Sequence, residues 1–157
     1  MVTTLRLTSS EFNDGASIPP QFTCDATSTD VGLNPPLAMH DVPPGTMSLA
    51  LIMDDPDVPG GGVFDHWILY NIPPATTEIT TGETIGTPGK NSAGKNAYYP
   101  PCPPPQEEPK EHRYFFTLYA LDTMLDLPEG ASRDAVEKAL QPHIIEQTQL
   151  MGRYKRK

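Results

Sequence analysis

The sequence predicts a mainly β protein, and three observations carry that expectation. Nineteen of the 157 residues are proline, where an ordinary chain would have roughly eight. Proline removes an amide donor and breaks helix interiors, which argues against a helical bundle. The apolar residues fall in short runs bounded by turn signals, as strands do, and a helical period shows only near the C-terminus.

Along the chain, Leu5 to Thr8 alternates apolar and polar as an opening strand, before turns at Asn13-Asp14-Gly15 and Pro19-Pro20. Ser48 to Met53 is a continuous apolar run that reads as a strand buried on both faces, and it ends in Asp54-Asp55-Pro56-Asp57. Phe64 to Ile72 is aromatic and β-branched. Simple alternation puts Phe64, His66, Ile68 and Tyr70 on one face and Asp65, Trp67, Leu69 and Asn71 on the other. Arg113 to Leu121 is a further strand, with His112, Tyr114, Phe116 and Leu118 on one side and Arg113 on the opposite face. Ser132 can cap a helix whose Val136, Leu140 and Ile144 recur at helical spacing, with Pro142 a break or restart before Ile145 to Gln149.

Gly82 to Glu111 has no clear period and contains Tyr98-Tyr99-Pro100-Pro101-Cys102-Pro103-Pro104-Pro105. Such a stretch inside a compact domain is a functional loop or a disordered one, and proline stiffness with two tyrosines favours an ordered wall. A polyproline ligand for an SH3-type partner is the competing reading. Tight X-Pro turns can take the cis form, and Asp55-Pro56 and the Pro100 to Pro104 run are the candidates.

No internal repeat or low-complexity linker divides the chain, which reads as one domain over residues 1–157, long enough to bury a core. Its 20 acidic against 11 basic residues give a formal net charge of −9 and a pI near 4.7. A nucleic-acid backbone is bound by neutralising it with Lys and Arg, so nucleic acid is a poor partner, and an anionic membrane surface is disfavoured likewise. Arg153, Lys155, Arg156 and Lys157 form a basic cluster that reads as a solvated tail. No apolar run follows Met1 and none approaches a membrane span, so the expected location is cytoplasmic. Cys24 and Cys102 are too few for a disulfide scaffold and lack zinc spacing. A reducing cytosol would leave them free, with a single bridge between them as the alternative.

Five elements then occur in order: Asn34-Pro35-Pro36-Leu37, Asp54-Asp55-Pro56-Asp57-Val58-Pro59, His66-Trp67, Pro101-Cys102-Pro103-Pro104, and His112-Arg113-Tyr114 followed by Leu118-Tyr119-Ala120-Leu121-Asp122. Together they resemble the PPL, DPDAP, HW, GPCPP and HRY signatures of the phosphatidylethanolamine-binding protein family, in its small prokaryotic, Raf kinase inhibitor-like form. The resemblance implies a sandwich of two antiparallel sheets, the larger one central, with Greek-key connections and short C-terminal helices. It also implies a small pocket for an anion such as phosphate or a phospholipid head group, and no cofactor. Carried over motif by motif, the pocket residues are Asp55, Asp57, His66, His112 and Tyr114, with Pro101, Pro103 and Pro104 as one wall. Family members are linked to inhibition of kinases and serine proteases, so a protease or kinase partner is implied as the alternative function. A homodimer stays open.

The chemistry of these residues agrees with a binding site. Histidine and tyrosine can donate to phosphate oxygens, whereas two ionised carboxylates would repel an anion. Asp55 and Asp57 therefore make more sense orienting imidazoles or accepting from the ammonium of an ethanolamine group. The rival enzyme reading takes Asp55, Asp57, His66 and His112 as ligands of a divalent metal, or Cys102 with His112 as nucleophile and base. No HExxH, GxSxG, P-loop or Rossmann glycine pattern supports it, and a non-enzymatic protein is expected.

The chain departs from the family pattern at three places. Met39 lies where a Trp often follows the PPL element, Asn34 replaces a common Ser, and Tyr99-Pro100 stands where prokaryotic members usually have two glycines. Proline has no N–H to offer an anion, so anion affinity is the implied property this departure bears on most.

Overall fold

The computed structural model describes residues 3–27 and 32–157. Among them the order of elements is β1 (Arg6–Thr8), β2 (Leu37–His40), β3 (Ser48–Asp55), β4 (Phe64–Ile72), β5 (Glu78–Ile79), β6 (Thr87–Pro88), β7 (Glu111–Leu121), α1 (Arg133–Leu140) and β8 (Ile144–Lys155). The fold is mainly β, as the proline content and strand pattern predict. Its two antiparallel sheets are a small one ordered β1-β2-β5 and a large one ordered β6-β4-β3-β7-β8.

The large sheet is buried on both faces, which is why β3 reads as an unbroken apolar run. Leu49, Leu51 and Met53 point into a core shared with Leu7, Leu37, Met39 and Ile79 of the small sheet and with Phe116 and Leu118 of β7. Ala50 and Ile52 point the other way, into a second core with Ile68, Tyr70, Val136 and Leu140. Each large apolar side chain taken fully out of water contributes about 1.5–3 kcal/mol, so the two-sided burial of β3 makes it the centre of the fold.

Simple alternation fails in β4. Met53 pairs with Trp67 but Asp54 pairs with Asp65, so one step along β3 matches two along β4 and His66 is the extra residue of a β-bulge. Trp67 and Leu69 join the inter-sheet core and Ile68 and Tyr70 the helix-side core. The bulge turns His66 to the same side as Trp67, and Asp65 to the side of α1. His66 and Ile68 thus leave the shared face that the sequence pattern assigns them. A second irregularity lies between Leu49 and Leu51, where Asn71 takes a left-handed φ of 54° and its amide holds the backbone of Leu125.

α1 starts where expected: the Ser132 hydroxyl accepts from the Ala135 amide at 3.1 Å. Val136 and Leu140 pack on the sheet, and Arg133 ties the helix to the strands through Asp54 at 3.0 Å and Asp65 at 2.5 Å. Burial of Asp54 raises its pKa in spite of that guanidinium. Beyond Pro142 the helical period does not continue. Gln141–His143 is a single 3-10 turn, and Ile145 to Gln149 is part of β8, paired with β7 from Leu121 to Glu111.

The segment from 82 to 111 is ordered by hydrogen bonds together with the packing of Ile85 and Tyr98 on the core. The Asn91 amide donates to the Ala97 carbonyl and accepts from the Ala93 and Lys95 amides, closing a loop beside β4. The cis peptide bond found among the described residues is Glu108–Pro109, and the candidates at Asp55-Pro56 and Pro100 to Pro104 are trans.

Candidate functional site

At one end of the large sheet, the last residue of β3 and the first residues of β4 and β7 surround a cavity of about 270 Å3. Asp55 comes from β3, Phe64 and His66 from β4, and His112 and Tyr114 from β7. The loop across the mouth adds Tyr99, Cys102, Pro103 and Pro104, and Val58 and Pro59 close the remaining side. Six of the eight residues expected at the site, Asp55, His66, Pro103, Pro104, His112 and Tyr114, line this one cavity.

The other two do not. Asp57 turns away and takes Arg113, accepting from its Nε and its Nη2 at 2.9 Å each and from its backbone amide at 2.9 Å. Those hydrogen bonds hold the Asp57 carboxyl below the usual carboxylate range. Arg113 lies on the face of β7 opposite Tyr114, as alternation requires, and Asp57 follows it there. Pro101 sits behind the wall, where its carbonyl accepts from the Cys24 amide at 3.1 Å.

Inside the cavity the central contact is His112 Nδ1 donating to Asp55 Oδ2 at 2.6 Å, with side chains only 2% and 3% exposed. Asp55 Oδ1 meanwhile accepts from the Asp57 amide at 2.7 Å, which fixes the turn after β3. The carboxylate thus orients an imidazole, one of the two roles its chemistry suggests. His112 Nε2 is buried with no hydrogen-bond partner among the described residues. Buried polar atoms are rarely left so.

His66 is tied twice to Tyr99: its Nδ1 donates to the Tyr99 carbonyl at 2.7 Å, and the Tyr99 amide donates to its carbonyl at 2.8 Å. Burial lowers the His66 pKa below its ordinary value, only partly opposed by the Tyr99 carbonyl and the Asp55 charge. Its ring stands edge-on to Tyr114 with centroids 5.2 Å apart, and Phe64 lies at 4.8 Å. Burial raises the Tyr114 pKa, so its hydroxyl stays protonated at neutral pH.

Sequence reasoning missed two lining aromatics. Phe64 carries no motif signal. Tyr99 is visible in the sequence as one of the two tyrosines of the ordered wall and as a replacement for a family glycine, not as a lining residue; its ring closes the cavity at 5.4 Å from Phe64.

The wall is held by a bond that overturns the expectation of free thiols. Cys24 and Cys102 form a disulfide across 78 residues, with their Cα atoms 5.4 Å apart. The alternative of a single bridge is the one realised, because the Pro101 carbonyl bonded to the Cys24 amide brings the two segments side by side. The bridge also removes Cys102 as a thiolate nucleophile for His112.

Comparison with known proteins gives a consistent result. The family model described as phosphatidylethanolamine-binding protein matches residues 8–155. A UPF0098 protein of Chlamydia pneumoniae is 44% identical over 157 residues, covering 97% of this chain and 99% of its own. One of Methanothermobacter thermautotrophicus is 40% identical, with 97% and 99% covered. The crystal structure of a putative phosphatidylethanolamine-binding protein homologue from Chlamydia trachomatis superposes with a TM-score of 0.90 at 40% identity, covering 98% of this chain and 99% of that one. Escherichia coli YbcL, described as a member of the mammalian family, gives 0.84 at 26% identity, with 99% and 100% covered. Matched over nearly its whole length in sequence and in fold, the chain belongs to the phosphatidylethanolamine-binding protein family.

Proposed function

We propose that this chain is a single-domain, non-enzymatic binding protein whose cavity takes a small polar head group of the phosphate or phosphoethanolamine kind. The observation that carries the reading is the unpartnered Nε2 of His112, buried in a cavity that already holds the Asp55–His112 pair and His66. A ligand that fills the cavity would supply the missing partner. Asp55, His66, His112 and Tyr114 are the proposed contacts, Pro103 and Pro104 the wall, and Asp57 and Pro101 its supports. With no Lys or Arg lining the cavity, a bare head group should bind weakly, in the millimolar range. The test is an NMR titration of the His66 and His112 imidazoles with inorganic phosphate and with phosphoethanolamine. Saturable shifts of both rings support the site; rings that ignore both compounds defeat it.

One observation favours a second reading, inhibition of a serine protease or kinase. The disulfide anchors a proline-stiff loop whose outer part, residues 105–111, is exposed, and a pre-organised edge lowers the ordering cost of binding. Loss of inhibition when residues 105–110 are replaced by a glycine-serine linker would support it, and a native chain inert against both enzyme classes would end it. Among the described residues no helix is long and apolar enough to cross a membrane. A cytoplasmic location remains part of the proposal, with the disulfide as the observation against it. Alkylation of freshly lysed cells followed by mass analysis decides whether the bridge exists there.

A further inference from the structure

We infer that the Cys24–Cys102 disulfide is a redox-controlled tie on residues 100–110, one that a dithiol reductant opens in the folded protein and that closes again on oxidation. The inference does not depend on what the cavity binds.

The ties on this segment are few. Just before it, Tyr99 is fastened to His66 by two hydrogen bonds, and just after it β7 begins at Glu111. Six of the eleven residues from 100 to 110 are proline and have no amide to donate. Among the described residues one hydrogen bond joins the segment to the rest of the chain, from the Cys24 amide to the Pro101 carbonyl at 3.1 Å. The bond from the Glu107 amide to the Pro104 carbonyl and the Lys110–Glu108 ion pair stay inside it. Pro101 and Pro103 are buried but residues 105–110 are exposed. The disulfide at Cys102 is therefore the anchor on which the outer half depends.

The partner segment is held independently of the sulfurs. The Asp25 carboxylate, next to Cys24, accepts from the Tyr154 hydroxyl at 2.5 Å and from Arg156 Nε at 3.1 Å, and the Phe22 carbonyl accepts from the Tyr98 hydroxyl at 2.9 Å. These bonds keep Cys24 in place when the bridge is open, so the two thiols remain neighbours at high effective concentration and can rejoin. Neither cysteine belongs to the two apolar cores, which is why the sheets survive the opening.

Both cysteines are half-buried and lie in loops, which leaves them reachable by a thiolate, and exposed bridges are the labile ones. A dithiol supplies two electrons and two protons. Its thiolate attacks one sulfur, the S–S bond breaks, and the departing thiolate takes up a proton. The reductant's second thiol then cleaves the mixed disulfide and closes the reductant's own disulfide, leaving Cys24 and Cys102 as thiols. Cys102, Pro103 and Pro104 line the cavity, so that wall is tied or free according to the redox poise of the compartment.

The test compares the oxidised full chain with the same chain treated with dithiothreitol, which is then removed under nitrogen. Alkylation and mass analysis should count both cysteines as thiols, and the melting transition should stay cooperative at a lower temperature. Trypsin should cut after the exposed Lys110 about tenfold faster in the reduced chain, because cleavage tracks the population of the released segment. Cutting after Lys138 in α1 should change far less, which separates local release from unfolding. Oxidised glutathione should restore the slow rate at Lys110. The double variant Cys24→Ser with Cys102→Ser should be cut at the reduced rate and ignore dithiothreitol; the wild-type cycle decides alone if that variant does not fold. A bridge that the folded chain does not surrender, a chain that unfolds on reduction, or a Lys110 rate blind to the redox state overturns the inference.

Discussion

His112 Nδ1 lies 2.6 Å from Asp55 Oδ2, and the two side chains are almost wholly out of water. The pair links the end of β3 to the start of β7 and sets the orientation of the ring that faces the cavity.

Asp55→Ala would leave two donors without an acceptor, His112 Nδ1–H and the Asp57 amide. Each such orphan costs about 1–3 kcal/mol, so the variant should lose roughly 2–6 kcal/mol in urea unfolding. A loss under about 0.5 kcal/mol, below the cost of one orphaned donor, would mean that the pair does not support the fold.

Stability should depend on pH through His66. Unfolded, its imidazole takes up a proton near pH 6.5, whereas in the fold burial holds its pKa lower. Between those two values the unfolded chain binds a proton that the folded chain does not, so acid favours unfolding. The contribution is complete above about pH 6.5 and is lost as pH falls through the interval down to the folded pKa. Melting temperature measured from pH 8 to pH 5 should fall on the acid side, and His66→Gln should fall less steeply. Parallel curves for the two proteins would contradict the buried neutral ring.

Replacing both Cys24 and Cys102 by Ser opens a loop of 78 residues. Chain entropy alone puts the cost at about 4.5 kcal/mol. Because Cys102 lines the cavity beside Pro103 and Pro104, ligand affinity should fall as well. Calorimetry and titration of the double variant check both effects, and a wild-type melting temperature would show that the bridge constrains nothing.

Gly152 opposes Tyr114 in the β7–β8 pair, and a Cβ there would meet Ile18 at 2.5 Å and Phe12 at 2.9 Å. Gly152→Ala should cost about 1–3 kcal/mol by overpacking. Adding Ile18→Val should restore only a small part of it, because valine removes the Cδ1 contact at 2.9 Å and keeps Cγ1 at 2.5 Å.

What the sequence made legible follows from what is local. The strand runs of β3 and β7 and the Ser132 cap are written in neighbouring residues, and they were readable. The facing of β4 was not, since the bulge at His66 exists only relative to Met53 and Asp54 on another strand. β8 was obscured because its first half lies at the sheet edge with mostly polar, half-exposed residues, while Ile144 continues the spacing of Val136 and Leu140 by coincidence. At the site, motifs located Asp55, His66, His112 and Tyr114. The path of the turn after β3 put Asp57 on Arg113, and no local signal marks that path. Cys24 could not be matched to Cys102 without the fold that brings their backbones together.

The proline wall also determines how the site can be watched. Of the positions from 99 to 105, only Tyr99 and Cys102 carry an exchangeable amide. Deuterium uptake and proton-detected backbone spectra therefore have almost no reporters there, and a ligand could order or displace the wall without trace in either. Carbon-detected spectra of the five prolines, or a fluorine label on the Tyr99 ring, would see the movement.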